Sequence, residues 1–538
     1  MSHFCTIIPA VKKNVAFADD LIKKLDGITL IQRSINKAKE LCEDKDVFVV
    51  TDSQEIGLIS ERNDIKFFYK QDLRLKGNDI IYDLKYFLLR IYKRYDSILI
   101  LYPYVPLLQS DTIRAALDVF HRDKCDILIS LIREKHRIYR QTNSGLETFI
   151  FQENHKDILT EIKAFLVFRS DLIRNGKDHL KICPYILNDG IVEIKNYQDW
   201  WVCEKLLRQK RIIFRVIGDT TVGMGHIYRS MALAHEITDH QIIFVCDEDS
   251  RLAVNRIAGS DYPVEVFQKE QIEEAIISLH PDLVVNDMLN TSSDYVLKLK
   301  QNNIKVVSFE DLGSGASFTD ITFNELYDEP VLSGENIKWG HSYFFLRDEF
   351  LDAKPREWQD KIQSILITFG GTDQHNFTQK ILSLVLEFCK REGLAVHIVT
   401  GPGYLYKNEL SEFIAKADYP RIRFTFATGV ISKIMEQSDI AISSNGRTVY
   451  ELYHMKIPSL IISQNDRETT HKFAAEENGF THVGHYSASE EMDSVVLSAL
   501  TMLVKNWEYR KSLYTTMDRI NFLENKKRVL TGIEGLLA

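Results

Sequence analysis

Residues 218 to 237 read GDTTVGMGHIYRSMALAHEI, where a β-branched run at 212–219 passes through a glycine-rich turn into an amphipathic helix. Gly223 and Gly225 permit positive φ and close approach of a ligand to the backbone, and a helix start offers unpaired N–H groups to an anion. His226 falls in the first helical turn, at the carboxyl edge of a sheet, where open α/β folds hold their ligands. An imidazole that titrates near neutrality suits general-base work there, with Asp219 as the neighbouring catalytic carboxylate. On this loop alone, a dinucleotide site and a plain tight turn stay equally open.

Two further loops carry matching chemistry. FGGTDQHN (369–376) ends a strand in paired glycines, so the amides of Gly370 and Gly371 and the hydroxyl of Thr372 can surround a phosphate. SSNGRTVYEL (443–452) places Gly446, Arg447 and Thr448 after another strand, with Glu451 one turn further on. A carboxylate in that position suits a ribose diol, and it equally suits a solvated first-turn acid favoured by the helix dipole.

The elements that must position these loops follow one rhythm: a short apolar run, a turn, then a helix of ten to fifteen residues. Strands are predicted at 4–10, 46–52, 97–103, 126–132, 212–219, 241–247, 282–288, 304–311, 364–371, 395–401, 440–446 and 458–464. Continuous apolar runs suit strands buried on both faces of parallel sheets. A closing helix at 200–211 and a charged stretch with Pro355 at 348–361 divide the chain into lobes 1–211, 212–350 and 360–538, the last two echoing each other as Rossmann-like halves. Trp200 and Trp201 are expected in packing rather than as a sugar platform.

Composition removes other classes. With 67 basic against 76 acidic residues the net charge is −9, which argues against a nucleic-acid binder. The apolar stretch from Ile98 to Leu108 is about half the roughly 20 residues that a membrane span needs, so no membrane span is expected. The first residues lack the pattern of a secretory leader, and a cytoplasmic protein is expected. The seven cysteines are scattered singly and are expected to be reduced core residues.

Over about 212–480 the chain resembles the UDP-sugar hydrolase of the pseudaminic acid pathway and its spore coat polysaccharide biosynthesis relative. The matching pieces occur in order: the glycine-rich loop with His226 and Arg229, FEDLG (309–313), YFFLRDEF (343–350), FGGTD and GRTVYEL. The resemblance implies a two-lobed glycosyltransferase B fold. It implies that UDP is gripped by Gly446, Thr448 and Glu451, with its phosphates near Gly370 and Gly371. The sugar would face His226, acting as base or water-positioner, and Gly223, Gly225, Arg229, Thr372 and Asn465 would complete the binding set. Two departures leave the acceptor open between water and a sugar. Asp287-Met288-Leu289 stands for the hydrolase's Asp-His-Tyr, and Asn465-Asp466-Arg467 for its Asn-Gln pair.

Residues 1–211 resemble the CMP-N-acylneuraminate cytidylyltransferases, through IIPA (7–10), VVTDS (49–53) with Asp52, LYPYVPLL (101–108) and DWWVCEKLL (199–207). This implies a nucleotidyltransferase-like lobe taking CTP and a nonulosonic acid, with Mg²⁺ and a homodimer formed through that lobe. The family's Arg-Gly-Gly becomes Val11, Lys12 and Lys13, and its Asp-Ile-Asp becomes Glu193-Ile194-Lys195, which leaves Glu193 as the remaining metal candidate. The two lysines can hold phosphates or form an exposed basic turn. The fold class expected is therefore α/β with three Rossmann-like lobes. The function expected is a bifunctional enzyme of nonulosonic acid or surface polysaccharide synthesis, against a glycosyltransferase or a non-catalytic nucleotide-sugar scaffold.

Overall fold

The computed structural model describes residues 3–12, 17–75, 79–134, 139–143, 145–148, 158–174, 179–188, 191–219, 223–487 and 489–537. The chain divides into two units, Met1–Gln209 and Lys210–Ala538.

The first unit is built on a seven-stranded sheet in the spatial order Ile182–Ile186, Ile127–Glu134, Ile158–Arg169, Ser97–Leu101, Phe4–Ala10, Val47–Thr51, Lys66–Tyr69. Ile158–Arg169 runs antiparallel to both neighbours; the other pairings are parallel. Val47–Thr51 and Ser97–Leu101 are buried at every position, as uninterrupted apolar runs require when helices cover both faces. On the helix Tyr197–Leu207, Trp200 is buried while Trp201 is 59% exposed, because adjacent helical positions point to different faces. Packing therefore accounts for only one of the two tryptophans.

One expectation fails here. Cys125 and Cys183 form a disulfide, with Cα atoms 6.0 Å apart. Cys125 lies just before Ile127–Glu134, and Cys183 pairs in register with Leu128 of that strand. The sheet thus brings together two thiols separated by 58 residues, a proximity that spacing does not reveal. The other five cysteines are free, and all but Cys42 are buried.

The second unit contains two sheets whose pairings are all parallel. One has the order Val264–Phe267, Gln241–Asp247, Arg211–Val216, Leu283–Asp287, Lys305–Phe309, Ile321–Asn324, Ile337–Trp339. The other has the order Ile422–Phe426, Ala395–Thr400, Ser364–Thr368, Ile440–Ser444, Ser459–Ser463, Phe480–His485. In each, the first strand lies beside the fourth and the chain leaves these two toward opposite edges. The crevice beyond their carboxyl ends is the place where doubly wound sheets hold ligands.

The charged stretch after Tyr343 is docked. Phe350 is fully buried, and Arg356 pairs with Asp439 at 2.7 Å. The last helix, Asn525–Glu534, returns to the first of these sheets, where Val529 and Ile533 share a core with Phe214, Val307, Phe323 and Phe345. Each fully buried aliphatic or aromatic side chain contributes about 1.5–3 kcal/mol relative to exposure. Among the described residues no helix is long and apolar enough to cross a membrane.

Candidate functional site

Two glycines, Gly218 and Gly223, shape the approach to the helix Gly225–Ala234. A Cβ on Gly218 would overlap the Ile227 side chain, so glycine there lets the helix Gly225–Ala234 sit tightly on its strand. Gly223 has φ +90°, and its N–H donates to the Asp219 carbonyl at 3.2 Å. Among the described residues no side-chain hydrogen bond caps the helix start at Met224.

His226 and the end of Leu283–Asp287 meet at the first crevice. His226 Nδ1 lies 2.5 Å from Asp287 Oδ1. Arg229, one turn along the helix, donates Nε to Asp287 Oδ2 at 2.9 Å and Nη1 to Glu325 Oε1 at 2.8 Å, and the Ser230 hydroxyl adds a bond to Asp287 Oδ2 at 3.0 Å. Burial alone would raise the Asp287 carboxyl, but Arg229 and then His226 outweigh it and hold the group well below the usual carboxylate range. An ionised Asp287 accepts, so this hydrogen bond places a proton on His226 Nδ1. Nε2 makes no hydrogen bond to a described residue.

The second crevice opens opposite. Gly370, Gly371 and Thr372 follow Ser364–Thr368, and Gly446, Arg447 and Thr448 follow Ile440–Ser444. Asp373 accepts the amides of Phe377 and Thr378, both at 2.7 Å, and so starts the helix Phe377–Glu392. Glu451 is buried and receives Arg347 Nε at 2.8 Å. Asn465 Oδ1 accepts the Glu468 amide at 3.0 Å, and burial raises the Glu468 carboxyl against the pull of the Gln464 and Asn445 amides. A Cβ on Gly371 would lie 3.3 Å from Met224 N, and one on Gly223 would lie 3.8 Å from Thr372 Oγ1. The glycine loops of the two sheets therefore face each other across a cleft of about 370 Å³.

Of the residues expected at the site, Gly223, Gly225, Gly370, Gly371, Thr372, Gly446, Thr448, Glu451 and Asn465 line this cleft. His226, Asp219 and Arg229 do not. The imidazole, expected to face the sugar directly, is not among the lining residues, and 11% of its side chain is exposed. The physical reason is Asp287, whose ionised carboxylate draws both His226 and Arg229 toward the sheet. Arg229 is engaged by carboxylates at 1% exposure and holds Asp287. The sequence reading also missed Arg347, Tyr228 and Glu468, which line the cleft. An arginine inside the otherwise apolar YFFLR is the signal that could have found the first.

In the first unit, the Lys12 amide donates to Asp52 Oδ1 at 2.7 Å, while its ammonium lies 2.6 Å from Glu55 and 3.0 Å from Asp19. Lys12 and Asp52 are thus brought together, but the lysine charge is engaged by carboxylates. Lys13 lies outside the described residues. Glu193 lines a separate cavity of about 460 Å³ with Asp79, Asp83, Tyr102, Glu161 and Lys163. Lys195 Nζ stands 3.4 Å from its carboxylate, and an ammonium in the place of the motif's second acid does not fit Mg²⁺, which requires oxygen donors. Among the described residues no group of three candidate ligands could hold a metal ion.

No protein-family profile matches the chain. It is 28% identical over 269 residues to an uncharacterised protein of Methanocaldococcus jannaschii, a match covering 46% of this chain and 54% of that protein. It is 27% identical over 257 residues to the UDP-2,4-diacetamido-2,4,6-trideoxy-beta-L-altropyranose hydrolase of Campylobacter jejuni, covering 46% of this chain and 89% of the hydrolase. It is 25% identical over 189 residues to a Helicobacter pylori protein named as both pseudaminic acid cytidylyltransferase and that same hydrolase, covering 34% of each chain. The chain thus spans about half the length of the archaeal relative and a third of the Helicobacter one.

Proposed function

We propose that Lys210–Ala538 cleaves a UDP-sugar of the 2,4-diacetamido-trideoxyhexose type in nonulosonic acid or surface polysaccharide synthesis. The observation that carries this reading is the pairing with Asp287 of His226, next in the chain to Gly225, which lines a cleft shared by the glycine loops of both sheets. The amides at Gly370, Gly371 and Gly446 and the hydroxyls of Thr372 and Thr448 serve the diphosphate, and they stabilise UDP as it departs as an anion. Glu451, oriented by Arg347, serves the ribose diol. Asp287 orients His226, and through the part of the imidazole left exposed beside the lining residue Gly225 its Nε2 takes a proton from the water attacking the anomeric carbon, a contribution of about 10²–10⁴ in rate. The named hydrolase among the relatives supports water as the acceptor.

A second reading, transfer to a sugar acceptor, is favoured by Met288-Leu289 and by Asp466-Arg467, where the hydrolase pattern is lost. Incubation with the UDP-2,4-diacetamido sugar separates the two: free UDP together with the free sugar supports hydrolysis, and UDP release only with an added acceptor supports transfer. UDP release in neither condition refutes both. For Met1–Gln209 we propose a nucleotidyltransferase-like fold whose site has lost its metal ligands. Pyrophosphate release from CTP with a nonulosonic acid would overturn that.

A further inference from the structure

A chain of buried charges runs from the cleft wall to His226. Arg447, beside Gly446, lines the cleft with its side chain 19% exposed, and its guanidinium pairs with Glu325 Oε1. The same oxygen, fully buried, accepts Arg229 Nη1 at 2.8 Å. Arg229 then grips Asp287 through Nε and Nη2, and Asp287 Oδ1 meets His226 Nδ1. Arg447 and Glu325 come from opposite sheets, so the chain crosses from the loop assigned to the nucleotide to the loop that holds the imidazole.

We infer that Arg447 and Glu325 are positioning residues that couple occupancy of the nucleotide loop to the placement of His226. The inference rests on the reading of the cleft given above. Two arginines share one carboxylate oxygen of Glu325, and burial together with the charge of Arg229 pulls the Arg447 guanidinium down to about 10. Such a shared acceptor has two arrangements: held between both cations, or released by Arg447 to Arg229 alone. A diphosphate at Gly446 offers Arg447 an alternative anion, and with Glu325 released to it Arg229 redistributes its bonds between Glu325 and Asp287. The other groups on this chain are Glu310, 3.7 Å from Arg229 Nη1, and Arg467, whose Nη2 lies 3.9 Å from the second Glu310 oxygen. The Phe309 and Phe344 rings lie under Arg229 and Arg447, with centroids 5.0 and 4.6 Å from the guanidinium carbons. In a buried network of this kind a change at one bond alters the next.

The test uses the full chain with ¹³C-labelled histidine rings, the His226 signal being assigned by its loss in His226→Asn. UDP is added to saturation, established separately by calorimetry, to the wild type, to Glu325→Gln and to Arg447→Met. The wild-type His226 resonance is expected to move. In Glu325→Gln, with UDP affinity held within about threefold, the movement is expected to fall to about half or less, and Arg447→Met at its own saturation behaves likewise. A merely structural tether would lower the melting temperature and leave the UDP-induced shift intact. An undiminished shift in both variants, or a wild-type resonance unmoved at saturation, overturns the inference. Absence of UDP binding to the wild type overturns the reading of the cleft itself, and the coupling falls with it.

Discussion

Arg347 Nε reaches Glu451 Oε1 at 2.8 Å while its Nη1 holds Glu349 at 2.9 Å, so the segment joining the two sheets of the second unit grips the buried acid that follows Ile440–Ser444. The guanidinium is itself packed against the Tyr228 and Phe350 rings. A carboxylate held at one oxygen presents the other in a fixed direction, which is what recognition of a vicinal diol requires.

Replacing Arg347 with Met is therefore expected to weaken UDP binding about tenfold, close to 1.4 kcal/mol, by freeing Glu451 to rotate. Calorimetry with UDP measures this directly. Affinity equal to wild type would show that Glu451 is oriented without its cation.

His226→Asn separates binding from chemistry. The ring does not line the cleft, so UDP affinity is expected to stay within about threefold, while UDP release from the UDP-sugar falls by about 10² or more. Chromatographic measurement of released UDP gives the rate. Release at the wild-type rate would remove His226 from the reaction.

Asp287→Asn strips the shared acceptor from Arg229 and His226, and breaking such a buried pair costs about 3–5 kcal/mol at neutral pH. The native carboxyl sits below its unfolded value of about 3.9, so its contribution is complete above that pH. As the pH drops below about 4 the unfolded chain takes a proton that the native site refuses, and the contribution declines. Urea denaturation of both proteins from pH 7 to pH 3 is expected to show stability curves that converge on the acid side. A constant gap would mean that Asp287 acts through packing alone.

Reduction of the Cys125–Cys183 bond, or its replacement by two serines, is expected to cost the first unit about 2–4 kcal/mol. Denaturant unfolding with and without a thiol reductant, beside peptide mapping for the linked pair, checks both the bond and its effect. A map showing two free thiols would refute the pairing.

The central strands were legible because their sequences leave few alternatives. SILIL, LVVND and SLIIS are buried at every position, and such runs between turns mark the middle of a parallel sheet. The edges were not. Val264–Phe267 and Ile422–Phe426 have no fully buried residue, and Ile337–Trp339 is three residues long, so none shows the apolar run that the prediction used. The glycine loops were readable as local chemistry, since turn and ligand approach are decided within a few residues. The partners of His226 were not, because Asp287 lies 61 residues away and only the adjacency of the first and fourth strands brings it there. Arg229 was legible as a motif residue, but its direction is fixed by buried acids on three other strands or strand ends.

The return of Asn525–Glu534 to the sheet that begins at Arg211 means that Lys210–Ala538 cannot be bisected at the apparent linker. An expression fragment stopping near residue 355 would carry the glycine loop and His226 over an uncovered apolar floor, with Phe323 and Phe345 open to solvent. The complementary fragment would trail a helix with nothing to lie on. The two halves behave as an interlocked pair, completed only once Asn525–Glu534 has been translated.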